Sequence, residues 1–202
     1  MSRAASAVFG EAVTTGLKNA SRFVVASYTS NERAFADFVA RTSIPTKRFD
    51  VSDTNATEKA FREIEEDYGS VEILMNNAGI TRDGTMHRMD HAQWKAVIDT
   101  NLGGCFNCSR SVIDGMCERN FGRIVNIGSI NGQAGQYGQV NYAAAKSGIH
   151  GFTKASAQEG AAKGITVNAI APGYVDTEML RAVPADVLEN IIARIPAGRL
   201  GW

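Results

Sequence analysis

The sequence lacks a net charge and lacks any long apolar run. Its 21 lysine and arginine residues balance 21 aspartate and glutamate residues among 202 positions. This balance gives no indication of a nucleic-acid partner or of a charged membrane surface. No apolar run approaches the length of a membrane-spanning helix, so no membrane partner is expected. Residues 1–7 faintly resemble a targeting peptide, but no apolar segment follows them, and we expect a cytoplasmic protein.

Cysteine and histidine are also scarce. Cys105 and Cys108 form a C-x-x-C pair, which elsewhere indicates redox chemistry or zinc, but no second pair completes a zinc site. With Cys117 the cysteines number three, and an odd number in a cytoplasmic protein argues against a disulfide framework. We interpret them as small buried hydrophobic residues on one helix. The three histidines are scattered along the chain, so no metal site is expected.

Segments typical of strands and of helices alternate along the chain. Short β-branched runs predict strands, and longer runs with helical periodicity predict helices. This alternation favours an α/β fold with a doubly wound parallel sheet, and the length suits one domain. Strands are predicted at 22–26, ending at 49–51, and at 71–76, 123–127 and 165–170, and helices at 4–20, 31–41, 57–68, 90–118 and 141–162.

One segment, from Ser129 to Lys146, carries the clearest chemistry. It follows a predicted strand, crosses a loop rich in glycine and glutamine, and enters a helix. Tyr142 and Lys146 share one face of that helix, one turn apart. A nearby ammonium favours the phenolate, so Tyr142 could donate and accept a proton near neutral pH. Ser129 could offer a hydroxyl at the same point, which together suggests polarisation and protonation of a carbonyl. The alternative is that Tyr142 only packs its ring and Lys146 reaches solvent.

Other motifs accompany this segment. The sequence N-N-A-G at 76–79 follows one predicted strand, Asn101 lies in a helical stretch, and P-G-Y at 172–174 follows the last strand. Taken together, these motifs resemble the short-chain dehydrogenase/reductase family from about Gly10 to Gly201. The resemblance implies a Rossmann-like sheet and a reductase in which a nicotinamide cofactor supplies the hydride.

The resemblance implies four catalytic residues. Tyr142 would be the acid and base, and Ser129 would hold the substrate carbonyl oxygen. Lys146 would bind the nicotinamide ribose and lower the pKa of Tyr142, so both residues also belong to the cofactor site. Asn101 would hold a water that links Lys146 to solvent, and the alternative is a structural amide at a helix kink.

The resemblance also implies residues that contact the cofactor. Asn76 is interpreted instead as structural, because it would tie neighbouring strands. The cofactor residues would be Asp50 and Val51 beside the adenine, Asn77, Ala78 and Gly79 along the adenosine ribose, and Pro172, Gly173, Val175 and Thr177 over the nicotinamide.

The chain departs from the family pattern at both ends. The family's first strand leads into a glycine-rich turn that binds the cofactor pyrophosphate, and here only Gly10 remains of those glycines. We therefore expect a single domain over residues 1–202 that is truncated at both ends and lacks the usual first and last strands. The first strand is central in the family, so its loss would leave two unpaired edges or make its neighbours pair with each other.

Further segments of the sequence indicate the cofactor and the substrate. No acidic residue follows the strand near Ala26 until Glu32, so NADPH is favoured over NADH, with Arg33 as a candidate phosphate partner. The segments 129–133, 136–139 and 80–83 resemble acetoacetyl-CoA reductases, and 3-oxoacyl-carrier-protein reductases share most of these residues. The candidates for contact with the acyl thioester are Gln136, Tyr137, Gln139 and Tyr174; alternatively, this loop is a solvated surface turn.

A second hypothesis belongs to a different functional class. The chain could be an inactive truncated relative or a non-catalytic subunit partner, because its cofactor-binding half is incomplete. The alanine-rich face of the helix at 141–162 would suit close packing between subunits of a homo-oligomer.

Overall fold

The computed structural model describes residues 5–176 and 185–201 of the protein. The strands are β1 (Ala26–Tyr28), β2 (Thr46–Arg48), β3 (Ile73–Asn76), β4 (Gly122–Ile127) and β5 (Ile165–Ile170). The helices are α1 (Ala5–Asn19), α2 (Glu32–Thr42), α3 (Thr54–Tyr68), α4 (His91–Ile98), α5 (Gly104–Arg119), α6 (Asn131–Ala134), α7 (Val140–Gly160) and α8 (Ala185–Ala193). A π-helical turn (Asp99–Gly103) joins α4 to α5, and a 3₁₀ turn (Ala161–Lys163) follows α7. Helices alternate with parallel strands, as predicted.

The strands form two hydrogen-bonded groups. In one group β3, β4 and β5 are parallel and adjacent in that order, and in the other β1 pairs with β2. Within the described residues β1 and β3 are not hydrogen-bonded neighbours, which corresponds to the first of the two outcomes expected for a sheet without the family's first strand. The β4–β5 register sets Ile127 opposite Ile170, so both strands end at the same edge.

Two strands begin or end at positions other than those predicted. The first strand was expected at 22–26, but hydrogen bonding to β2 begins only at Ala26, whose N–H donates to the Pro45 carbonyl. Val24 packs against a small buried cluster of Ala26, Phe38 and Ile44. Its apolar side chain therefore reports this packing and does not report pairing in a strand. The second strand ends at Arg48, before the predicted 49–51. Sequence reasoning also missed α6 and α8.

Polar side chains set the starts of the helices that flank the sheet. The Asp53 carboxylate caps α3 by accepting from the Ala56 N–H at 3.0 Å. At α4 the bonds are reciprocal: Asp90 accepts from the Gln93 N–H at 2.7 Å, and the Gln93 side chain accepts from the Asp90 N–H at 2.9 Å. Each pair satisfies backbone donors that have no partner inside the helix.

The main hydrophobic core lies between the three-stranded sheet and helices α3 and α5. Its most buried members include Met116 and Ile124, at 0% and 1% exposure. Cys105 and Cys108 are also buried, and burial raises their pKa values to about 11 and about 12. Their thiols therefore stay protonated at neutral pH, which confirms that both cysteines are packing residues. No helix in the described part of the chain is long and apolar enough to cross a membrane.

Candidate active site

Helix α7 carries two residues of the candidate site, and its start is held by Asn141. The Asn141 side chain donates to the Arg82 carbonyl at 2.9 Å and accepts from the Tyr142 N–H at 2.7 Å. Asn141 is fully buried, so these bonds are made away from water. They tie the first turn of α7 to the loop that follows β3, and they orient the helix so that Tyr142 and Lys146 face the carboxyl end of the sheet.

Lys146 is a buried cation at the centre of the site. Its side chain is 3% exposed, and its Nζ donates to the Ile127 carbonyl at 2.6 Å. Burial lowers the pKa of Lys146 because the ammonium loses its hydration, and the neighbouring Cys105 partly opposes that effect. An ammonium has three N–H donors, so two lack a described partner among residues 5–176 and 185–201.

The phenol of Tyr142 lies beside Ser129 and Lys146. The Lys146 Nζ is 5.6 Å from the centre of the Tyr142 ring. Burial raises the pKa of Tyr142, a hydrogen bond with Ser129 acts in the opposite direction, and the charge of Asp83 raises it further. Burial is the largest of these effects, so the net pKa is raised, and the expectation that Lys146 lowers it stays a prediction. The raised pKa keeps the phenolic proton in place at neutral pH.

Ser129 lies two residues beyond the end of β4. Its Oγ accepts a hydrogen bond from the backbone N–H of Asn131 at 3.1 Å. It also lies close enough to Tyr142 to lower the pKa of that phenol. Two neighbouring hydroxyls of this kind can hold and protonate one carbonyl oxygen.

Asn101 lies in the π-helical turn between α4 and α5. Its side chain is fully buried and makes two bonds to Ile80, accepting from the N–H at 2.8 Å and donating to the carbonyl at 3.0 Å. The amide is thus satisfied at a helix distortion, as the structural alternative requires. A Cβ on Gly79 would lie 3.4 Å from the Asn101 Oδ1 and 3.6 Å from the Lys146 Nζ. Asn101, Gly79 and Lys146 therefore line one small space.

Asn76 ties the strands beneath the site. Its side chain donates to the Asn126 Oδ1 on β4 at 2.8 Å and to the Ser109 Oγ on α5 at 3.1 Å. Asn126 in turn donates to Thr153 on α7 at 3.0 Å. This buried network confirms the structural interpretation of Asn76.

The residue expected at the pyrophosphate is placed differently from the prediction, whereas the expected contact of Asp50 and Val51 with the adenine stays a prediction. Gly10 lies inside α1, beyond the first four N–H groups of that helix, so its N–H belongs to the helix and cannot cradle a phosphate. It serves as a packing position instead, because a Cβ there would lie 3.0 Å from the Asn77 Nδ2. The Asp50 carboxylate is exposed and accepts from the Ser52 N–H at 2.9 Å, and Val51 is buried in the main core.

The other residues expected at the cofactor lie around the site. Ala78 is exposed and Asn77 half-buried, directly after β3. The Pro172 carbonyl accepts from the Ile130 N–H at 3.0 Å, which brings the loop after β5 beside Ser129. Gly173 is exposed and Val175 is half-buried, bridged to Gly201. Thr177 lies outside the described residues.

The four candidates for substrate contact do not form one group. The Tyr174 hydroxyl donates to the Gln136 Oε1 at 3.4 Å, so these two residues are brought together. Tyr137 is 87% exposed. Gln139 is instead engaged within the protein, donating to the Asp83 Oδ2 and accepting from the Asn131 Nδ2, each at 3.0 Å.

Sequence reasoning missed the parts played by Asp83, Asn131 and Asn141. Asp83 and Asn131 contributed only to the resemblance, and Asn141 only marked the start of a helix. The signal available was the concentration of Asn, Gln and Asp in two short loops, which gives no pairing by itself. Among residues 5–176 and 185–201 there is also no group of three or more histidine, cysteine or acidic residues that could hold a metal ion.

The chain is similar in sequence to known proteins. The sequence model for short chain dehydrogenases matches residues 4–188. The chain is 56% identical to the acetoacetyl-CoA reductase of Shinella zoogloeoides over 193 residues, which cover 95% of this chain and 80% of that protein. It is 55% identical to the acetoacetyl-CoA reductase of Rhizobium meliloti with the same coverage. It is 41% identical to the 3-oxoacyl-[acyl-carrier-protein] reductase of Escherichia coli over 199 residues, covering 98% of this chain and 81% of that protein.

Proposed function

The chain belongs to the short-chain dehydrogenase family, and we propose that it reduces the 3-oxo group of an acetoacetyl-CoA-type thioester with NADPH as the reductant. The observation that carries this proposal is that the buried Lys146 bonds the Ile127 carbonyl at the end of β4, two residues before Ser129, and lies 5.6 Å from the centre of the Tyr142 ring. Two of the curated relatives, at 55–56% identity, are named acetoacetyl-CoA reductases.

The residues around Lys146 fit the nicotinamide end of the cofactor. Two N–H donors of Lys146 lack a described partner among residues 5–176 and 185–201, which suits the hydroxyls of a ribose. Gly79 leaves space beside them that a side chain would narrow. Tyr142 and Lys146 would hold this ribose, and Pro172, Gly173 and Val175 would cover the ring. When bound, the reduced nicotinamide supplies a hydride to the carbonyl carbon.

The remaining chemistry belongs to this chain. Ser129 donates a hydrogen bond to the substrate carbonyl oxygen and withdraws electron density from the carbonyl carbon. Tyr142 gives its proton to the same oxygen as negative charge develops there, and a hydroxyl results. Lys146 stabilises the tyrosinate that remains, because its ammonium lies near the ring in a region of low dielectric.

The structure around Glu32 supports the choice of NADPH. Glu32 begins α2, directly after the loop that follows β1, and its carboxylate is paired with the Arg48 guanidinium. A carboxylate that already pairs with a guanidinium must exchange that partner before it can accept from a ribose 2′-hydroxyl. Arg33 is exposed beside it, so the local charge favours a 2′-phosphate.

The proposal is tested by following NADPH consumption with acetoacetyl-CoA. We expect turnover by the wild-type chain and none by Tyr142→Phe. A parallel assay with acetoacetyl-acyl-carrier-protein separates the proposed substrate from the second candidate, a 3-oxoacyl-carrier-protein reductase, which the Escherichia coli relative represents. A higher kcat/KM with the carrier-protein thioester would favour the second candidate.

A non-catalytic role is the third candidate, and the pyrophosphate end of the site favours it. Gly10 is inside α1, and β1 is not paired with β3 in the described residues, so the usual phosphate turn is not formed. Thermal shift with NADPH tests this candidate, because a ligand that binds the folded state must raise the Tm. No shift at millimolar NADPH, together with no turnover, would support the inactive or subunit role.

Exposed small residues on α7 support the proposal of a homo-oligomer. Ala144, Ser147, Gly151 and Ala155 are exposed and recur at helical spacing, which allows another helix to approach closely. Light scattering after size-exclusion chromatography tests it, and Gly151→Trp should reduce the mass of any oligomer that uses this face. A monomeric mass for the wild-type chain would contradict it. The cytoplasmic location stays a prediction.

A further inference from the structure

A line of side-chain hydrogen bonds runs from the loop after β3 to the serine of the active site. Gln139 donates to the Asp83 Oδ2 and accepts from the Asn131 Nδ2, each at 3.0 Å. The Asn131 backbone N–H donates to the Ser129 Oγ at 3.1 Å. The Ser129 hydroxyl therefore accepts a hydrogen bond from Asn131, and Gln139 and Asp83 hold Asn131 in position.

The far end of this line is itself anchored. The Gly84 N–H donates to the Gly138 carbonyl at 2.7 Å, and Asn141 donates to the Arg82 carbonyl at 2.9 Å. Asp83 lies between these two anchored residues, so its carboxylate has a defined position although the side chain lies near the surface. Asn101 holds the start of the same loop through Ile80.

We propose that Asp83, Gln139 and Asn131 form a positioning chain that holds Ser129 in its reactive orientation. Because the Ser129 Oγ accepts from the Asn131 N–H, its own proton is directed away from that bond, toward Tyr142 and the substrate oxygen. Gln139 then has a positioning role besides its predicted contact with the substrate arm. This inference rests on the proposed reductase function and assigns it three further residues.

Kinetics separate the two roles of Gln139. In Gln139→Ala and in Asn131→Ala we expect kcat to fall by about 10- to 100-fold with the KM for acetoacetyl-CoA nearly unchanged, because the misplaced serine acts on the transition state. A residue that only binds the substrate arm would raise KM at constant kcat. The kcat of the double variant Asn131→Ala/Gln139→Ala should fall no further than that of the more impaired single variant, because both changes break the same line of hydrogen bonds. Gln158→Ala, on the exposed face of α7, is the matched control and should keep the wild-type kcat.

Asp83 can be tested with a conservative change. Asp83→Ala removes the acceptor for Gln139, so kcat should fall as in Gln139→Ala. Asp83→Asn keeps an acceptor oxygen and should recover most of the lost rate. Asp114→Ala controls for the loss of an exposed acid, since Asp114 pairs with Arg110 at the surface. Equal loss in both Asp83 variants, or wild-type kcat in Asp83→Ala, would overturn the proposal.

The pKa of Tyr142 can be measured without turnover, so it tests the positioning chain independently of the proposed reductase function. Asn131→Ala leaves the Asp83 charge and the Lys146 ammonium near Tyr142 in place, so any change at Tyr142 reports on Ser129. Loss of the Ser129 hydrogen bond should raise the pKa of Tyr142, because that bond lowers it. Ultraviolet difference titration against Tyr142→Phe measures this pKa. An unchanged pKa contradicts the positioning chain, whereas a raised pKa in an enzyme that fails to reduce acetoacetyl-CoA supports the chain and counts against the proposed substrate.

Discussion

The Lys146 Nζ donates a 2.6 Å hydrogen bond to the carbonyl of Ile127, the last residue of β4. The Ile127 carbonyl lies two residues before Ser129 along the chain, so this bond holds the buried ammonium of α7 close to Ser129. It thereby joins the helix and the strand that carry the candidate reactive groups. The ammonium is 3% exposed and has no carboxylate in its salt-bridge range among the described residues. A buried charge with one hydrogen bond is destabilising, so we infer that stability is sacrificed here for chemistry.

Lys146→Met should therefore stabilise the protein and abolish reduction. Removing the desolvation penalty outweighs the lost bond to Ile127, and we expect a gain of about 1–3 kcal/mol, or about 2–4 °C in Tm per kcal/mol. Burial lowers the pKa of Lys146, so the folded state holds this proton less tightly than the unfolded state. The gain should be full at neutral pH and shrink as pH rises through the lowered pKa toward about 10.4.

Calorimetry at pH 7 and at high pH measures this gain. Lys154→Met is the matched control, because Lys154 is exposed on the same helix and its ammonium keeps its hydration. A lower Tm for Lys146→Met than for Lys154→Met would show that the bond to Ile127 outweighs the burial of the charge.

Tyr142→Phe should abolish reduction without unfolding the protein. The change removes one hydroxyl, so the proton that the substrate oxygen requires is lost, with an expected fall of about 10²- to 10⁴-fold in kcat. Tyr137→Phe removes a hydroxyl from a side chain that is 87% exposed and should leave kcat unchanged. Steady-state rates with circular dichroism of both variants provide the test. A Tyr142→Phe enzyme that keeps its wild-type rate would identify another proton donor.

The rate of reduction should be flat through neutral pH and fall only under strongly alkaline conditions. Tyr142 must be protonated to act as the acid, and burial raises its pKa above the usual value of about 10. The same raised pKa adds stability that is present below about pH 10 and is lost as pH rises through the folded-state pKa. Values of kcat measured between about pH 6 and pH 10 test this pH dependence. An alkaline fall near pH 7 would show that another group controls the step.

Residual activity should prefer NADPH to NADH. The acid nearest to the end of β1, Glu32, is engaged by Arg48, and Arg33 is exposed beside it. Initial rates at equal cofactor concentrations measure the preference. Arg33→Ala should reduce the rate with NADPH more than the rate with NADH if it contacts the 2′-phosphate. Faster turnover with NADH in the wild-type chain would contradict the prediction.

The cofactor should bind far more weakly than to a family member with the glycine-rich turn. Gly10 is the remaining glycine of that turn, and its N–H lies inside α1. Charge-assisted bonds contribute about 1.5–3 kcal/mol each, so losing two weakens binding by about two to four orders of magnitude. Isothermal titration with NADPH gives the constant directly. A dissociation constant in the low micromolar range would show that the phosphates are held by another route.

Grafting a complete first strand and glycine turn onto the N-terminus provides the matched comparison. The extended chain should bind NADPH tightly and turn over faster, since it contains both the central strand and the phosphate turn. An equal affinity of the two chains for NADPH would show that the glycine turn does not account for weak cofactor binding.

The sequence by itself determined the class of fold and the candidates for the reactive residues. Local periodicity was sufficient for most helices and for β5, because a strand of β-branched residues and a helix with a buried face are each selected by short-range spacing. The spacing of Tyr142 and Lys146 likewise placed both on one face of α7 without knowledge of the tertiary structure. The shift of β1 to Ala26–Tyr28 shows the limit of this reasoning, because apolar residues near Val24 pack in a cluster without joining the ladder.

Only the tertiary structure decided which polar groups meet. Asp83, Gln139 and Asn131 lie in two segments of the chain, and their contact depends on the pairing of Gly84 with Gln139. The tertiary structure also decided the protonation of the site, because the pKa of Tyr142 depends on its burial and on Asp83 as well as on the local sequence. Hydrogen bonds and desolvation act through space over a few ångströms, whereas sequence patterns report neighbours along one helix or strand.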